Sequence, residues 1–239
     1  MAVSFVDVAG GRLAYERAGA GPALVLLPGL GLDEELWSDV AALLAPRFDT
    51  IRLQPRGHGR SSRPVAPYVH ADDVARALDE LAIESAHFAG HSQGGAIALD
   101  VALAHPSRVR SLALVDSGLD GHAWSPAWRD LFRAGGALFA TRPELAARVD
   151  AMVARGSRPS GRNPARPLAP RAATRLAEIR VPTVVIVGEH DLADFQEIAR
   201  KLAAEIEGAY LITLEGVGHL APLEAPAQVA DLIAQGARA

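Results

Sequence analysis

Cysteine is absent from the 239 residues of this chain. Its absence excludes disulfide bonds, cysteine-ligated metal ions and a thiol nucleophile. No His-Glu-x-x-His motif or comparable spacing of ligands occurs either, so we expect neither a metal site nor a cofactor. Covalent catalysis by this chain would need a nucleophile other than a thiol.

Long apolar runs and an excess of positive charge are also missing. No run of apolar residues is long enough to cross a membrane, and the N-terminus lacks the basic start and apolar core of a signal peptide. The formal net charge of -4 gives no signature for binding nucleic acid. We therefore expect a soluble, cytoplasmic protein that binds a small molecule and neither nucleic acid nor a membrane.

Segments typical of strands and of helices alternate along the chain. The opening residues predict two strands joined at Gly10 and Gly11. A continuous apolar run, ALVLL, is typical of a strand buried on both faces, and helical spacing follows Asp33, a predicted N-cap. This alternation continues to the C-terminus. It predicts an α/β fold, in which a mostly parallel sheet has helices on both faces and an N-terminal antiparallel hairpin.

Residues 118–170 interrupt the alternation. They include eight arginines against four acidic residues, and they end in a segment too rich in proline and glycine for a helix or a central strand. PELAARVDAMVAR within them predicts a helix, and the segment as a whole predicts one or two helices. We interpret residues 118–170 as a lid inserted into a core that is formed by residues 1–117 and 171–239.

A single serine lies among small residues at Gly90-His91-Ser92-Gln93-Gly94, which fits the pattern G-x-S-x-G. The motif occurs where a predicted strand, SAHFA, turns into a predicted helix. A nucleophile elbow requires this setting, because small neighbours let the strand and the helix pass closely. The alternative is a glycine-rich helix start with Ser92 as the N-cap. The setting favours Ser92 as a nucleophile.

A serine hydroxyl needs a general base, and the base needs an acid that orients it. Asp191 follows the predicted strand PTVVIVG, and His219 follows the next strand in a glycine-flanked loop. Because the carboxyl ends of parallel strands meet at one edge of a sheet, we expect Ser92, Asp191 and His219 to converge there. Asp116, after the predicted strand VRSLALV, is the alternative acid.

The sequence resembles the α/β-hydrolase superfamily, specifically its small, lidded, esterase-type serine hydrolases. The resemblance covers nearly the whole chain, and its motifs occur in the family's order: the hairpin, LLPGLGLDEELW, RGHGRSS, GHSQGG, VPTVVIVGEHD and GVGHLAPLEAP. It implies that Ser92 is the nucleophile, His219 the general base and then acid, and Asp191 the orienting carboxylate. It also implies an oxyanion hole at the backbone N–H groups of Leu30 and Gln93.

Two positions depart from the family's pattern. Pro28 stands where the family often has histidine before the oxyanion loop, so this loop must be braced without that side chain. Gln54 opens the RGHGRSS loop where the family usually has an acid. Neither departure changes Ser92, Asp191 or His219.

Three aromatic residues of the insertion, Trp124, Trp128 and Phe132, recur at the spacing of one helix face. Two interpretations have equal weight. The aromatic face packs the lid onto the core, or part of it forms the wall of an apolar substrate pocket above Ser92.

Together these patterns predict a serine hydrolase that cleaves carboxylic esters through an acyl-enzyme on Ser92. The same three residues could instead act on a lactone, a thioester or a C–C bond, or in a lyase step. An alternative from another class is a low-turnover binding or sensing module with a hydrolase-like pocket. Covalent labelling by a fluorophosphonate distinguishes a working nucleophile from such a module.

Overall fold

An eight-stranded sheet lies at the centre of the computed structural model, which describes residues 2–126, 142–155 and 164–238. Its strands are β1 (Ser4–Val8), β2 (Gly11–Ala18), β3 (Ala23–Leu27), β4 (Asp49–Leu53), β5 (Ala86–His91), β6 (Val109–Val115), β7 (Thr183–Gly188) and β8 (Tyr210–Leu214). The order across the sheet is β1-β2-β4-β3-β5-β6-β7-β8. β2 pairs antiparallel with β1 and β4, and every other neighbouring pair is parallel.

Helices cover both faces of this sheet. The α-helices in the described part of the chain are α1 (Ser38–Leu44), α2 (His70–Glu80), α3 (Gln93–Ala104), α4 (Pro143–Arg155), α5 (Ala193–Glu205), α6 (Ala221–Glu224) and α7 (Pro226–Gly236). Side chains of α2, α3 and α5 enter one buried apolar cluster, and side chains of α1, α4 and α7 enter another. The predicted α/β fold with a mostly parallel sheet is therefore confirmed.

The apolar run ALVLL has a direct structural explanation. Along β3, Val25 and Leu27 belong to one cluster, while Leu24 and Leu26 belong to the other. Successive side chains of a strand point to opposite faces. A strand between two helical layers therefore needs apolar residues at every position.

Backbone geometry ends α2. This helix ends at Glu80, two residues before Ala82, which has a φ of +55°. The N–H of Ile83 then donates to the carbonyl of Leu78 at 2.9 Å. This bond is typical of a helix end with a left-handed residue.

The segment between β6 and β7 carries α4, as the sequence predicts. Leu145, Val149 and Met152 lie on one face of α4 and are buried against the cluster that holds α1 and α7. Arg155 pairs with Asp33 at 2.8 Å, which ties the end of this helix to the core. The role of this segment as a lid stays a prediction.

The fold brings five loops to one edge of the sheet. These loops follow β3, β5, β6, β7 and β8, where the strands run in parallel. Residues from these loops form the site described below. Among the described residues, no helix has the length and apolar character needed to span a membrane.

Candidate active site

Ser92 lies in the sharp turn between β5 and α3. Its backbone has φ +50° and ψ -116°, a conformation that non-glycine residues rarely adopt. Its N–H donates to the carbonyl of Val115 at 3.1 Å, and its own carbonyl accepts N–H groups from Gly95 and Gly118 at 3.0 and 2.8 Å. These bonds hold the strained residue in place, as a serine presented at the edge of a sheet requires.

The glycines on either side of Ser92 are required by close packing. A Cβ atom added at Gly90 would lie 2.3 Å from the carbonyl oxygen of Gly94, and one at Gly94 would lie 2.2 Å from that of Leu27. Both contacts are with backbone, which cannot move aside. The G-x-S-x-G spacing therefore follows from how closely α3 passes β5 and β3.

Asp191 and His219 are hydrogen-bonded to each other. Asp191 follows β7, His219 follows β8, and the distance from His219 Nδ1 to Asp191 Oδ2 is 3.0 Å. Both residues are buried. Because a carboxylate only accepts, Nδ1 carries the proton, and Nε2 is left with its lone pair. This is the tautomer that a general base acting on a serine needs.

The backbone of the His219 loop is held by side chains from other elements. Glu224 accepts the N–H groups of Gly218 and Leu220, each at 2.9 Å. His91 Nε2 donates to the carbonyl of His219 at 2.7 Å. No pattern around His91 in the sequence indicates its contact with the His219 loop, and the only signal for Glu224 is its place in the GVGHLAPLEAP motif.

An aromatic ring packs on the imidazole of His219. The ring centroid of Phe195, in α5, lies 4.1 Å from that of His219, and the two planes are tilted by 37°. Phe195 is fully buried. Together with Asp191, this packing restricts rotation of the His219 side chain. The helical spacing of the sequence places Phe195 in the core but does not indicate that its ring contacts His219.

Asp116, the alternative acid, lies behind Asp191 and does not bond to Nδ1 of His219. Its carboxyl group accepts the N–H of Gly188 at 2.9 Å and that of Ala221 at 3.2 Å. Asp116 is fully buried and has a φ of +44°. Of the two candidate acids, Asp191 is the one that bonds to the histidine.

The predicted oxyanion donors lie beside Ser92. Leu30 and Gln93 both line the cavity that Ser92 lines. Within the described residues, neither of their N–H groups donates a hydrogen bond to a protein atom. Because backbone N–H groups near a protein interior normally have a partner, two unpaired ones beside a serine suit an oxyanion.

The two departures from the family's pattern are accommodated by other contacts. Beside Pro28, a Cβ added at Gly29 would lie 2.7 Å from Nδ1 of His91, so the oxyanion loop packs directly on His91. The buried Gln54 side chain donates to Glu34 and accepts the N–H of Arg60 at 2.6 Å. Glutamine can make both contacts because its amide donates and accepts, whereas a carboxylate only accepts.

His58 supports the elbow. It is buried, and its Nε2 lies 2.9 Å from the side-chain oxygen of Gln93. Burial lowers the pKa of His58, so the ring is neutral. His58 thus holds the side chain of Gln93, one of the two residues predicted to offer an oxyanion N–H group.

A cavity of about 370 Å³ opens beside Ser92. Its apolar lining includes Leu30, Ile97, Leu119 and Trp124. Its charged and imidazole side chains are those of His70, Asp100, Asp120, Arg166 and Arg171. Trp124 lies in irregular structure rather than in the predicted helix, and its ring centroid is 5.3 Å from that of Phe195. Trp128 and Phe132 lie outside the described residues.

Burial sets the protonation of the site. It lowers the pKa of His219 to about 3 and that of His91 to about 3, so both imidazoles are neutral at neutral pH. Burial raises the pKa of Asp116, and the charge of Asp191 raises it further. Burial also raises the pKa of Asp191, while hydrogen bonds from Leu192 and Asp116 oppose that rise.

One group of possible metal ligands exists in the described part of the chain. Single atoms of His91, Asp116 and His219 lie within 4.8 Å of one another. Both oxygens of Asp116 already accept backbone N–H groups, and His91 already donates to the His219 loop. A metal ion would have to displace these bonds, so we describe the group as a hydrogen-bonded cluster.

Two polar residues just before Asp191 in the chain, Glu189 and His190, lie at the surface. His190 is exposed. The Glu189 side chain is half exposed and accepts the N–H of Gly216 at 2.9 Å. Neither residue contacts His219 in the hydrogen bonds described.

Comparison with known proteins agrees with this architecture. A model of the alpha/beta hydrolase family matches residues 24–232. The chain is similar to the putative carbamate hydrolase RutD of Azorhizobium caulinodans, with 42% identity over 107 residues, which are 44% of this chain and 40% of that protein. The match therefore spans less than half of that relative's length.

Solved structures match over nearly the whole chain. Est816, described as an N-acyl homoserine lactone degrading enzyme, has 29% identity and a TM-score of 0.82, with 97% of this chain and 99% of that one covered. A thermophilic esterase from Thermogutta terrifontis has 23% identity and a TM-score of 0.83, with coverage of 100% and 98%. At that identity, the second likeness concerns the fold alone.

Proposed function

Since the chain belongs to the alpha/beta hydrolase family, we propose that it is a serine hydrolase that cleaves carboxylic esters through an acyl-enzyme on Ser92. The observation that carries this proposal is the setting of Ser92. It is held at φ +50° by four backbone hydrogen bonds, and it lines a cavity of about 370 Å³ together with Leu30 and Gln93, whose N–H groups have no hydrogen-bond partner among the described residues. Strain maintained at a cavity is typical of a functional residue.

The proposed reaction uses His219 twice. Its Nε2 takes the hydroxyl proton as Ser92 Oγ attacks the ester carbonyl, and the N–H groups of Leu30 and Gln93 bind the oxyanion. His219 then delivers the proton to the leaving alkoxide. Water, activated by the same nitrogen, finally hydrolyses the acyl-enzyme. Asp191 keeps the imidazole in the required tautomer through the 3.0 Å bond to Nδ1.

The shape of the cavity supports an ester with an apolar part of medium length. Ala96, Ile97 and Asp100 lie on the cavity side of α3, and Asp100 follows Ser92 by eight residues. Eight residues of α-helix span about 12 Å. An acyl or alcohol chain that runs from Ser92 past Ile97 and Trp124 would therefore meet the polar side chain of Asp100 after about 12 Å, which limits its apolar part to medium length.

The test combines a substrate screen with covalent labelling. We expect the purified chain to hydrolyse aryl esters of short to medium acyl length and to react with a fluorophosphonate at Ser92. Ser92→Ala should lose both activities and keep its fold, whereas Ser107→Ala, at an exposed serine, should keep both. Labelling or turnover that survives in Ser92→Ala would refute the assignment. An unlabelled wild-type protein would favour the binding-module alternative.

A lactone is the second candidate substrate. The likeness to Est816, whose description names lactone degradation, favours it. A lactone is an ester closed into a ring, so the same steps open it and leave acid and alcohol in one product. Acid release in a pH-stat, with a lactone and an open-chain ester of equal size, would rank the two.

A further inference from the structure

Two buried carboxyl groups meet behind His219. Asp116 and the side chain of Asp191 are both 0% exposed. Both carboxyl groups lie beside His219: Asp191 Oδ2 is 3.0 Å from Nδ1, and a carboxyl oxygen of Asp116 lies within 4.8 Å of a ring nitrogen. Two ionised carboxylates buried this close together would repel each other strongly. One of the two carboxyl groups therefore holds a proton.

The hydrogen bonds indicate which one. Asp191 accepts the N–H of His219 at 3.0 Å and that of Leu192 at 2.7 Å, and both bonds favour its ionised form. Asp116 also accepts two N–H groups, both from the backbone, but at the longer distances of 2.9 and 3.2 Å, which favour its ionised form less. Its burial is complete, and the negative charge of Asp191 raises the pKa of Asp116 further.

The other groups around Asp116 do not oppose this assignment. His91 and His219 are neutral at neutral pH because burial lowers the pKa of each to about 3. Glu224 adds a further negative charge, which raises the pKa of Asp116. Neither imidazole supplies a positive charge that would ionise Asp116.

We propose that Asp116 is a positioning residue that donates a shared proton to Asp191 and so keeps this carboxylate aligned on Nδ1 of His219. The inference rests on the proposed serine hydrolase function. Asp116 also joins the end of β7, at Gly188, to the His219 loop, at Ala221. It holds the acid and the base together from the end of β6, and its φ of +44° shows that the fold maintains this position against strain.

A single negative charge on the pair also suits the reaction. One carboxylate stabilises the imidazolium that forms when Ser92 loses its proton. A second charge behind it would stabilise the imidazolium further and make His219 slower to release the proton to the leaving alkoxide. The shared proton therefore adjusts the basicity of His219 as well as its position.

Two variants separate positioning from charge. Asp116→Asn keeps the shape and can donate an N–H to Asp191, but its amide nitrogen cannot accept one of the two backbone N–H groups that Asp116 accepts. We therefore expect kcat/KM to fall only about threefold to tenfold. Asp116→Ala removes the donor, so we expect kcat to fall about tenfold or more with little change in KM. Glu189→Gln, at the same loop but away from the pair, is the control and should match the wild type.

Infrared spectroscopy tests the proton directly on the resting protein, without substrate. The wild type at neutral pH should show the C=O stretch of a protonated carboxyl group that disappears in Asp116→Asn, and the difference spectrum separates this band from other carboxyl groups. An unchanged band would overturn the proposal. So would an Asp116→Ala variant as active as the wild type, or a folded Asp116→Asn variant as slow as Asp116→Ala.

The outcomes remain interpretable in two difficult cases. If Asp116→Ala does not fold, the proposal is tested by two properties of Asp116→Asn: the loss of the infrared C=O band and the value of kcat/KM. If the wild type neither hydrolyses esters nor reacts with a fluorophosphonate, the proposed function fails, while the infrared band still reports whether the two carboxyl groups share a proton.

Discussion

His91 Nε2 donates a hydrogen bond to the carbonyl oxygen of His219 at 2.7 Å. The residue that precedes the proposed nucleophile thus holds the loop of the proposed base. The two imidazole centroids are 4.9 Å apart, so the bond also fixes the distance between β5 and the loop after β8. Ser92 and His219 lie 127 positions apart in the chain, and this contact connects their loops directly.

Replacing His91 should therefore slow catalysis. In His91→Ala the carbonyl of His219 loses its buried donor, which costs about 1–3 kcal/mol, and the loop can shift. We expect kcat/KM for an aryl ester to fall about tenfold to a hundredfold. His190→Ala, beside the acid but exposed, should behave as the wild type. Equal rates for both variants would contradict this role of His91.

The pH dependence of the reaction should reflect the buried state of His219. Burial lowers the pKa of His219 from 6.5 to about 3, and the reaction needs the neutral imidazole. We expect kcat/KM to stay near its plateau at pH 5.5, where a histidine with the ordinary pKa would be about nine-tenths protonated. Circular dichroism at each pH verifies that the protein is folded. A decline centred near pH 6.5 would show that His219 titrates as an exposed histidine.

Asp100 should make the stability of the fold depend on pH. Burial, with the nearby charge of Asp120, raises its pKa from 3.8 to about 7. Between these values the folded protein binds the proton and the unfolded chain does not, so this residue's contribution to stability falls as the pH rises. Asp100→Asn cannot ionise. We expect the melting temperature of Asp100→Asn, relative to the wild type, to be higher at pH 8 than at pH 5.

The control for that measurement is Asp231→Asn, at an exposed position on α7. Its melting temperature should differ from that of the wild type by the same small amount at both pH values. If Asp100→Asn also showed a constant difference, Asp100 would be ionised in the folded protein throughout this range.

The ion pair at the end of α4 should contribute modestly to stability and in a salt-dependent way. Arg155 Nε lies 2.8 Å from Asp33, whose side chain is 3% exposed, while the Arg155 side chain is 44% exposed. Solvent screening limits such a pair to about 1 kcal/mol. Arg155→Gln should lower the melting temperature by about 2–4 °C, and 1 M salt should reduce that difference.

Arg180→Gln gives the matched comparison for this pair. Arg180 bonds to Glu207 at 2.9 Å, but both side chains are mostly exposed, so we expect almost no change in melting temperature. A loss in Arg155→Gln that high salt leaves intact would mean that packing, rather than charge, attaches α4 to the core.

Sequence patterns predicted the elements of the core because each pattern has a local cause. ALVLL predicted β3 since a strand covered on both faces must be apolar throughout. PELAARVDAMVAR predicted α4 with the bounds that the structure has, since its apolar residues recur at helical spacing. Asp33 was predicted as an N-cap, and its side chain accepts the N–H of Glu35 at 3.1 Å at the start of the 3-10 helix Glu34–Trp37, which directly precedes α1.

The choice between Asp116 and Asp191 could not be made with the same kind of argument. Both follow strands that end at the same edge of the sheet, and both are buried in the same cluster. Which carboxyl group reaches Nδ1 of His219 depends on how the loop after β7 lies against the loop after β8. Likewise, nothing local marks His91, Phe195 or Glu224 as neighbours of His219.

The sequence by itself determined the order of strands and helices, the turn at Ser92 and the residues proposed to do acyl-transfer chemistry. It could do so because hydrophobic periodicity, capping and close-packed glycines act over a few neighbouring residues. Only the tertiary structure decided which acid orients the histidine, what holds its loop, and where the second carboxyl group lies. Those relationships depend on contacts between residues far apart in the chain, whose distances no local pattern encodes.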